Sequence, residues 1–239
     1  MHNYCKTIGA LAAASALVAG NAQAEVEYEL HAGYSSMYLF RGLDLGDNLT
    51  EVGLDAAYDW NGVKISGGVW ASAFEHSPVA TGNQVDNEVD WYAEIGKDFG
   101  FANLSVGYIY YWNLGGLGED AQEVPFTISR DFGFADIYLT YFWSVDGPNN
   151  DGYMELGGSH AWELNPCLTL TYSSNLGYLV EQGDFTAWTN KLSLDWGFAE
   201  HAKVSPFVAY SLSLSDEPNT AYNGADNEFV AGSMLSVTF

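Results

Sequence analysis

Basic residues are scarce in this chain of 239 residues, which carries 7 Lys and Arg against 31 Asp and Glu, a formal net charge of -24 and a pI near 4.1. Neutralising a nucleic-acid backbone takes a Lys/Arg footprint that is not there, so nucleic acid is excluded as a partner. Cysteine is nearly absent, with 2 in the whole chain. Also missing is any apolar run of the roughly 20 residues that a membrane-spanning helix requires, because Glu, Asp, Ser, Asn and Gly interrupt every apolar segment. What is abundant is ring and glycine: 8 Trp, 16 Tyr, 13 Phe and 26 Gly. That much apolar material rules out a disordered acidic tail. An all-β barrel of this length forms one domain.

The opening residues run from Met1 to Lys6, then through an apolar stretch from Ile8 to Gly20, and reach Ala22-Gln23-Ala24 before Glu25. One cation, a short apolar core and a small-residue site predict a secretory signal peptide over 1-24, cleaved after Ala24, with the barrel occupying 25-239. Cys5 would leave with the leader. Cys167, in the turn-like Asn165-Pro166-Cys167, is then expected to form no intrachain disulfide.

Past Glu25 the pattern has a period of two. Val26, Tyr28, Leu30, Ala32, Tyr34 and Tyr38 fall on one face, while Glu25, Glu27, Glu29, His31, Gly33 and Ser35 fall on the other, as a half-buried strand requires. The next strand sets Val52, Leu54, Ala56, Tyr58 and Trp60 against Glu51, Gly53, Asp55 and Asp59. Asn61-Gly62 closes a two-residue hairpin, followed by Val63, Ile65, Val69 and Ala71 alternating with Lys64, Ser66 and Trp70. Further strands are predicted near 87 to 98, 102 to 112, 123 to 131, 135 to 145, 152 to 162, 167 to 179, 185 to 196, 203 to 214 and 227 to 239, making about twelve. Tight connections (61-62, 98-101, 131-134, 163-166 and 197-201) alternate with longer polar ones (41-48, 74-86, 113-122, 146-151, 180-184 and 215-226). Short turns at one end and longer loops at the other predict a closed antiparallel transmembrane β-barrel with periplasmic turns and extracellular loops. Asp98-Phe99-Gly100-Phe101, Asp131-Phe132-Gly133-Phe134 and the near-copy Asp195-Trp196-Gly197-Phe198 read as aromatic hairpins seated at the membrane interface.

If the apolar set faces lipid, the other set lines the lumen. The predicted pore-lining residues are Glu27, Glu29, Glu51, Asp55, Asp59, Lys64, Glu88, Asp90, Glu94, Asp136, Glu155, Lys191 and Asp195, with Trp70, Tyr92, Tyr111, Tyr138, Phe142 and Phe207 also pointing inward. Twelve strands lie between the filled eight-stranded barrel and the open sixteen-stranded one, which predicts a narrow passage. An acidic wall concentrates cations and disfavours anions. The expectation is passive diffusion of small solutes with a cation preference; a plugged structural or adhesion barrel remains the alternative. Arg41 is expected to anchor the first loop through carboxylates.

An outer-membrane lipid-modifying enzyme is the rival class. A serine nucleophile needs a histidine within reach on its own face, but Ser159 and His160 are adjacent and point to opposite faces, and His31 lies four strand residues from Ser35. No catalytic residue, metal site or cofactor is predicted. Asp44-Leu45-Gly46-Asp47-Asn48 lacks the spacing of an EF-hand. The expected partners are outer-membrane lipids, with lipopolysaccharide at the acidic loops, and small solutes; self-association is left open.

The C-terminus places Phe229, Ala231, Leu235, Val237 and the terminal Phe239 on one face. It resembles the terminal strand read by the outer-membrane barrel assembly machinery, which would make Phe239 an assembly signal. Tyr38-Leu39-Phe40-Arg41-Gly42, ending the first strand soon after the leader, resembles the Tyr-x-Phe-Arg-Gly element of the TorF family of porin-like outer-membrane proteins. That resemblance implies a small Gram-negative outer-membrane barrel. The acidic loop from Ser215 to Asp226 has no counterpart in the family pattern.

Overall fold

The protein is described by a computed structural model that covers residues 26–75, 85–114, 119–146, 152–216, 222 and 225–239. The predicted leader lies outside these residues. Twelve strands follow one another: β1 (Glu27–Phe40), β2 (Leu43–Trp60), β3 (Val63–Glu75), β4 (Val85–Asp98), β5 (Asn103–Asn113), β6 (Ala121–Asp131), β7 (Asp136–Asp146), β8 (Tyr153–Asn165), β9 (Leu168–Leu179), β10 (Asp184–Ala199), β11 (Ala202–Ser213) and β12 (Glu228–Thr238). Each pairs antiparallel with its sequence neighbours, and β1 pairs with β12 to close the ring. Among the described residues every regular element is a strand.

The seam runs from Glu29 opposite Thr238 to Ser35 opposite Gly232. Reciprocal hydrogen bonds finish it: Tyr28 N donates to Phe239 O and Phe239 N to Tyr28 O, both at 3.0 Å, and the two rings stack at 5.8 Å. Closure leaves no unpaired strand edge, the condition for β-structure in hydrocarbon.

The apolar half of each alternating strand lies on the outside. Leu30 is 46% exposed, Trp91 52% and Leu156 50%. A continuous exterior of this kind is stable only against lipid. Turns at one end are two to four residues long. At the first, Asn61 (φ 54) and Gly62 (φ 79) hold the left-handed geometry of a type I′ hairpin, which Asn-Gly supplies without strain.

Three expectations are corrected. Residues 41-48 do not form a loop: β2 begins at Leu43, so the connection is the two-residue turn Arg41-Gly42. Tyr38 does not share the outer face of Tyr34. The alternation breaks between the buried Ser35 and Tyr38, where Asn48 of the facing strand takes a left-handed φ of 56, and Tyr38 packs inside with Leu49 and Phe74. The third aromatic copy is no turn, because Asp195-Trp196-Gly197-Phe198 lies within β10, whose turn falls after Ala199.

Candidate functional site: a constriction built by the first hairpin

Interior packing is organised by the tip of the β1–β2 hairpin. In a ring of this order the strands diametrically opposite β1 and β2 are β7 and β8. The Arg41 guanidinium lies 4.4 Å from the ring centroid of Phe142 on β7 and 4.3 Å from that of Tyr153 on β8. The tip therefore reaches far enough into the lumen for Arg41 to meet side chains of the opposite wall. Gly42 meets the flank: a Cβ built there would come within 2.2 Å of Ala187 Cβ on β10 and 3.3 Å of Ser211 Oγ on β11. Glycine is required twice over at this position, since its φ is +90.

Arg41 is held as a fork. Its Nη1 donates to Glu123 Oε1 at 2.9 Å and its Nη2 to Glu123 Oε2 at 2.6 Å. Tyr111 Oη donates to the same Oε2 at 2.9 Å, and Phe40 places a third ring 4.8 Å from the guanidinium. The pair is buried, with the Glu123 side chain 4% exposed. A bidentate bond to one carboxylate and stacking on planar rings are tasks for arginine rather than lysine. Beside it the hairpin packs into a small apolar cluster: Tyr38 approaches Phe74 at 5.0 Å and Trp70 at 5.6 Å, with Leu49 buried next to them. Tyr222, from the loop between β11 and β12, is buried in the same region, and burial pushes its hydroxyl up to about 12.

The interior wall below this tip is acidic on one side. Glu51 Oε2 accepts from Trp70 Nε1 at 2.7 Å, and Asp55 accepts from Tyr92 and lies 3.2 Å from His31 Nδ1. Across the lumen Glu155 accepts from Tyr138 at 2.6 Å. Glu88 and Asp90 follow each other on the inner face of β4, opposite Ser72 and Trp70 of β3. Glu29 and Asp90 each keep one buried carboxylate oxygen without a hydrogen-bond partner. The wall formed by β9 to β11 presents hydroxyls instead, with Thr189 and Ser211 2.9 Å apart. Lys191 lies 4.1 Å from the Phe207 ring and is open to the lumen.

Glu27, Asp59, Lys64, Glu94, Asp136 and Asp195 lie toward the periplasmic end of the inner face. Lys64 stands opposite Asp59, Asp136 opposite Ser159, and Asp195 opposite Thr169. Alternation thus places all thirteen sequence-predicted residues on the inner face, but at different depths, and they form no single cluster. Among the described residues no group of three or more His, Cys, Asp and Glu is arranged to hold a metal ion. Sequence reading assigned no site role to Glu123, Tyr153 or Gly42, which hold the hairpin. The available signal was Arg41 itself, a cation in a chain with few, placed between Phe40 and Gly42.

Ser174, His31 and His160 are engaged by other neighbours. Ser174 Oγ donates to Asn190 and accepts from Trp188 Nε1, His31 is engaged by Asp55, and the His160 ring lies 4.6 Å from Trp162.

A closed ring of twelve antiparallel strands, apolar outside and polar inside, defines a transmembrane β-barrel of the outer-membrane type. Among solved structures the chain is similar to the COG4313 outer membrane channel from Pseudomonas putida F1, with a TM-score of 0.61 at 11% identity over 94% of this chain and 97% of that one. It is also similar to the KdgM porin (TM-score 0.50, 10% identity, 89% and 99% covered) and to outer membrane phospholipase A from Escherichia coli (0.52, 12% identity, 88% and 89% covered). At these identities the likeness is one of fold, which serves a channel, a porin and a phospholipase alike. No family model and no curated relative matches the chain.

Proposed function

We propose that the protein is an outer-membrane channel for passive diffusion of small solutes, cation-preferring, with its narrowest point at the Arg41 hairpin. The observation that carries this reading is the division of the interior: a tip latched across the lumen above an acidic passage. A plugged barrel would fill the lower passage too, whereas Lys191 and Asp136 there are exposed. Carboxylates on the wall raise the local cation concentration and repel anions. The guanidinium at the tip adds no strong opposing field, because Glu123 neutralises it at contact distance. The absence of a serine-histidine pair among these contacts weighs against the phospholipase function found on the same fold. The resemblance of Tyr38 to Gly42 to the TorF element fits this reading, since those residues build the tip.

Planar-bilayer recording of the refolded protein across a KCl gradient tests the proposal. Conductance steps with a reversal potential on the cation side are expected, moving toward zero in the variant Glu51→Gln/Asp55→Asn. Absence of steps, or a reversal potential on the anion side, overturns it.

A further inference from the structure

The aromatic turns are not accounted for by the channel. The two true copies begin with a cation: Lys97-Asp98-Phe99-Gly100-Phe101 joins β4 to β5, and Arg130-Asp131-Phe132-Gly133-Phe134 joins β6 to β7. They are geometrically alike. In the first, Gly100 N donates to Asp98 Oδ1 and Phe99 N donates to Ala102 O at 3.0 Å; in the second, Gly133 N donates to Asp131 Oδ1 and Phe132 N donates to Ala135 O at 3.0 Å. The glycines take φ values of 82 and 79. The paired rings lie 6.2 and 6.0 Å apart, each pair tilted by 35°. All four phenylalanines are half or more exposed, from Phe132 at 50% to Phe134 at 68%.

The cations of the described chain divide sharply. Arg41, Lys64, Lys191 and Lys203 lie on the inner face, whereas Lys97 follows Trp91 and Ile95 on the outer face, and Arg130 follows Phe126 and Ile128. Lys97 and Arg130 stand at one rim, separated by β5 alone, so their strands are roughly 10 Å apart. The Lys97 Nζ lies 6.0 Å from the Phe99 ring and the Arg130 guanidinium 5.3 Å from the Phe132 ring. Arg130 Nη1 also donates to Phe101 O of the other turn at 3.0 Å, tying the two together.

The geometry points to a binding site for a diacyl phospholipid of the periplasmic leaflet, its phosphate held between Lys97 and Arg130 and its chains laid against Phe101, Leu104 and Ile128. Rings mark the headgroup level and wedge into the acyl boundary. Two flexible cations flanking one strand converge on a single phosphate, with the guanidinium forking its oxygens. The short turns face the periplasm, which excludes lipid A of the outer leaflet as the occupant. Asp195-Trp196-Gly197-Phe198 has Leu194 in the cation's place and lies within a strand, so the site belongs to the first two copies. This inference is independent of conduction through the lumen.

The test is native mass spectrometry of the protein released from nanodiscs made with phosphatidylglycerol, with phosphatidylcholine, or with lipid A added. Wild-type barrel is expected to retain phosphatidylglycerol, and Lys97→Gln/Arg130→Gln to retain about tenfold less. Lys97→Arg/Arg130→Lys is expected to keep it. Heat-modifiable mobility on gels and bilayer conductance, both unchanged, show that the double variant is folded. Equal retention by wild type and the Gln variant overturns the site, as does loss of the lipid to inorganic phosphate at millimolar concentration. Retention of lipid A through the same pair overturns the assignment of leaflet.

Discussion

At the scale of the residue, Arg41 and Glu123 are the sharpest case of mutual dependence. Each is buried and each satisfies the other, so removing one leaves an uncompensated charge, at a cost of about 3–5 kcal/mol. Arg41→Gln is therefore expected to lower the unfolding temperature in detergent and to raise single-channel conductance severalfold as the tip lets go. Replacing both partners (Arg41→Gln/Glu123→Gln) removes the stranded charge as well as the latch. Part of the stability is expected to return while the conductance stays high, and recording both quantities on all three variants separates latch from scaffold. The sequence flagged Arg41 because cations are so rare, but it could not name Glu123. The two lie 82 positions apart, and several inward carboxylates were equally eligible until the ring order put β6 to β8 across from the first hairpin.

At the scale of the element, the hairpin tip depends on Gly42 as well as on its charge. Any side chain there meets Ala187 and requires a strained backbone. Gly42→Leu is expected to push the tip off β10 and β11, with higher conductance and noisier open levels, while strand content by circular dichroism is unchanged; a quiet channel of wild-type size would show that the tip tolerates the bulk. Strand existence was legible throughout, and facing wherever the alternation is unbroken, because a period of two read from exposed apolar residues such as Trp91 and Leu156 has a single solution. Two of the failures fall in one place. A break between Ser35 and Tyr38 reverses which residues face inward, and a phase change of a single residue leaves no mark on a pattern already rich in rings. Residues 41-48 read as a loop because Arg41, Asp44, Asp47 and Asn48 make the stretch polar and Gly42 and Gly46 interrupt it. The third aromatic copy misled for a related reason: its glycine does not take the positive φ of the other two.

At the scale of the whole molecule, closure rests on β1 meeting β12, and the final residue completes it. Phe239 contributes a reciprocal pair of backbone bonds and a stacked ring to Tyr28. Deleting Phe239 forfeits all three. Slower appearance of the compact, heat-modifiable band during refolding is expected, and a smaller folded fraction in cells; unchanged kinetics would assign the seam's strength to the interior of β12 instead. The pairing of chain ends is also the slowest kind of contact to form, because it joins the segments farthest apart in sequence. The same reasoning sets a timetable for the inserted tip. Its grips, Glu123, Tyr153, Ala187 and Ser211, are contributed by strands that leave the translocation machinery after it, the last from β11. The bolt thus has nothing to slide into until nearly the entire polypeptide has arrived. A newborn copy whose ring shut before the bolt had seated would stand wide open, and the speed of that last insertion would limit how long it leaked.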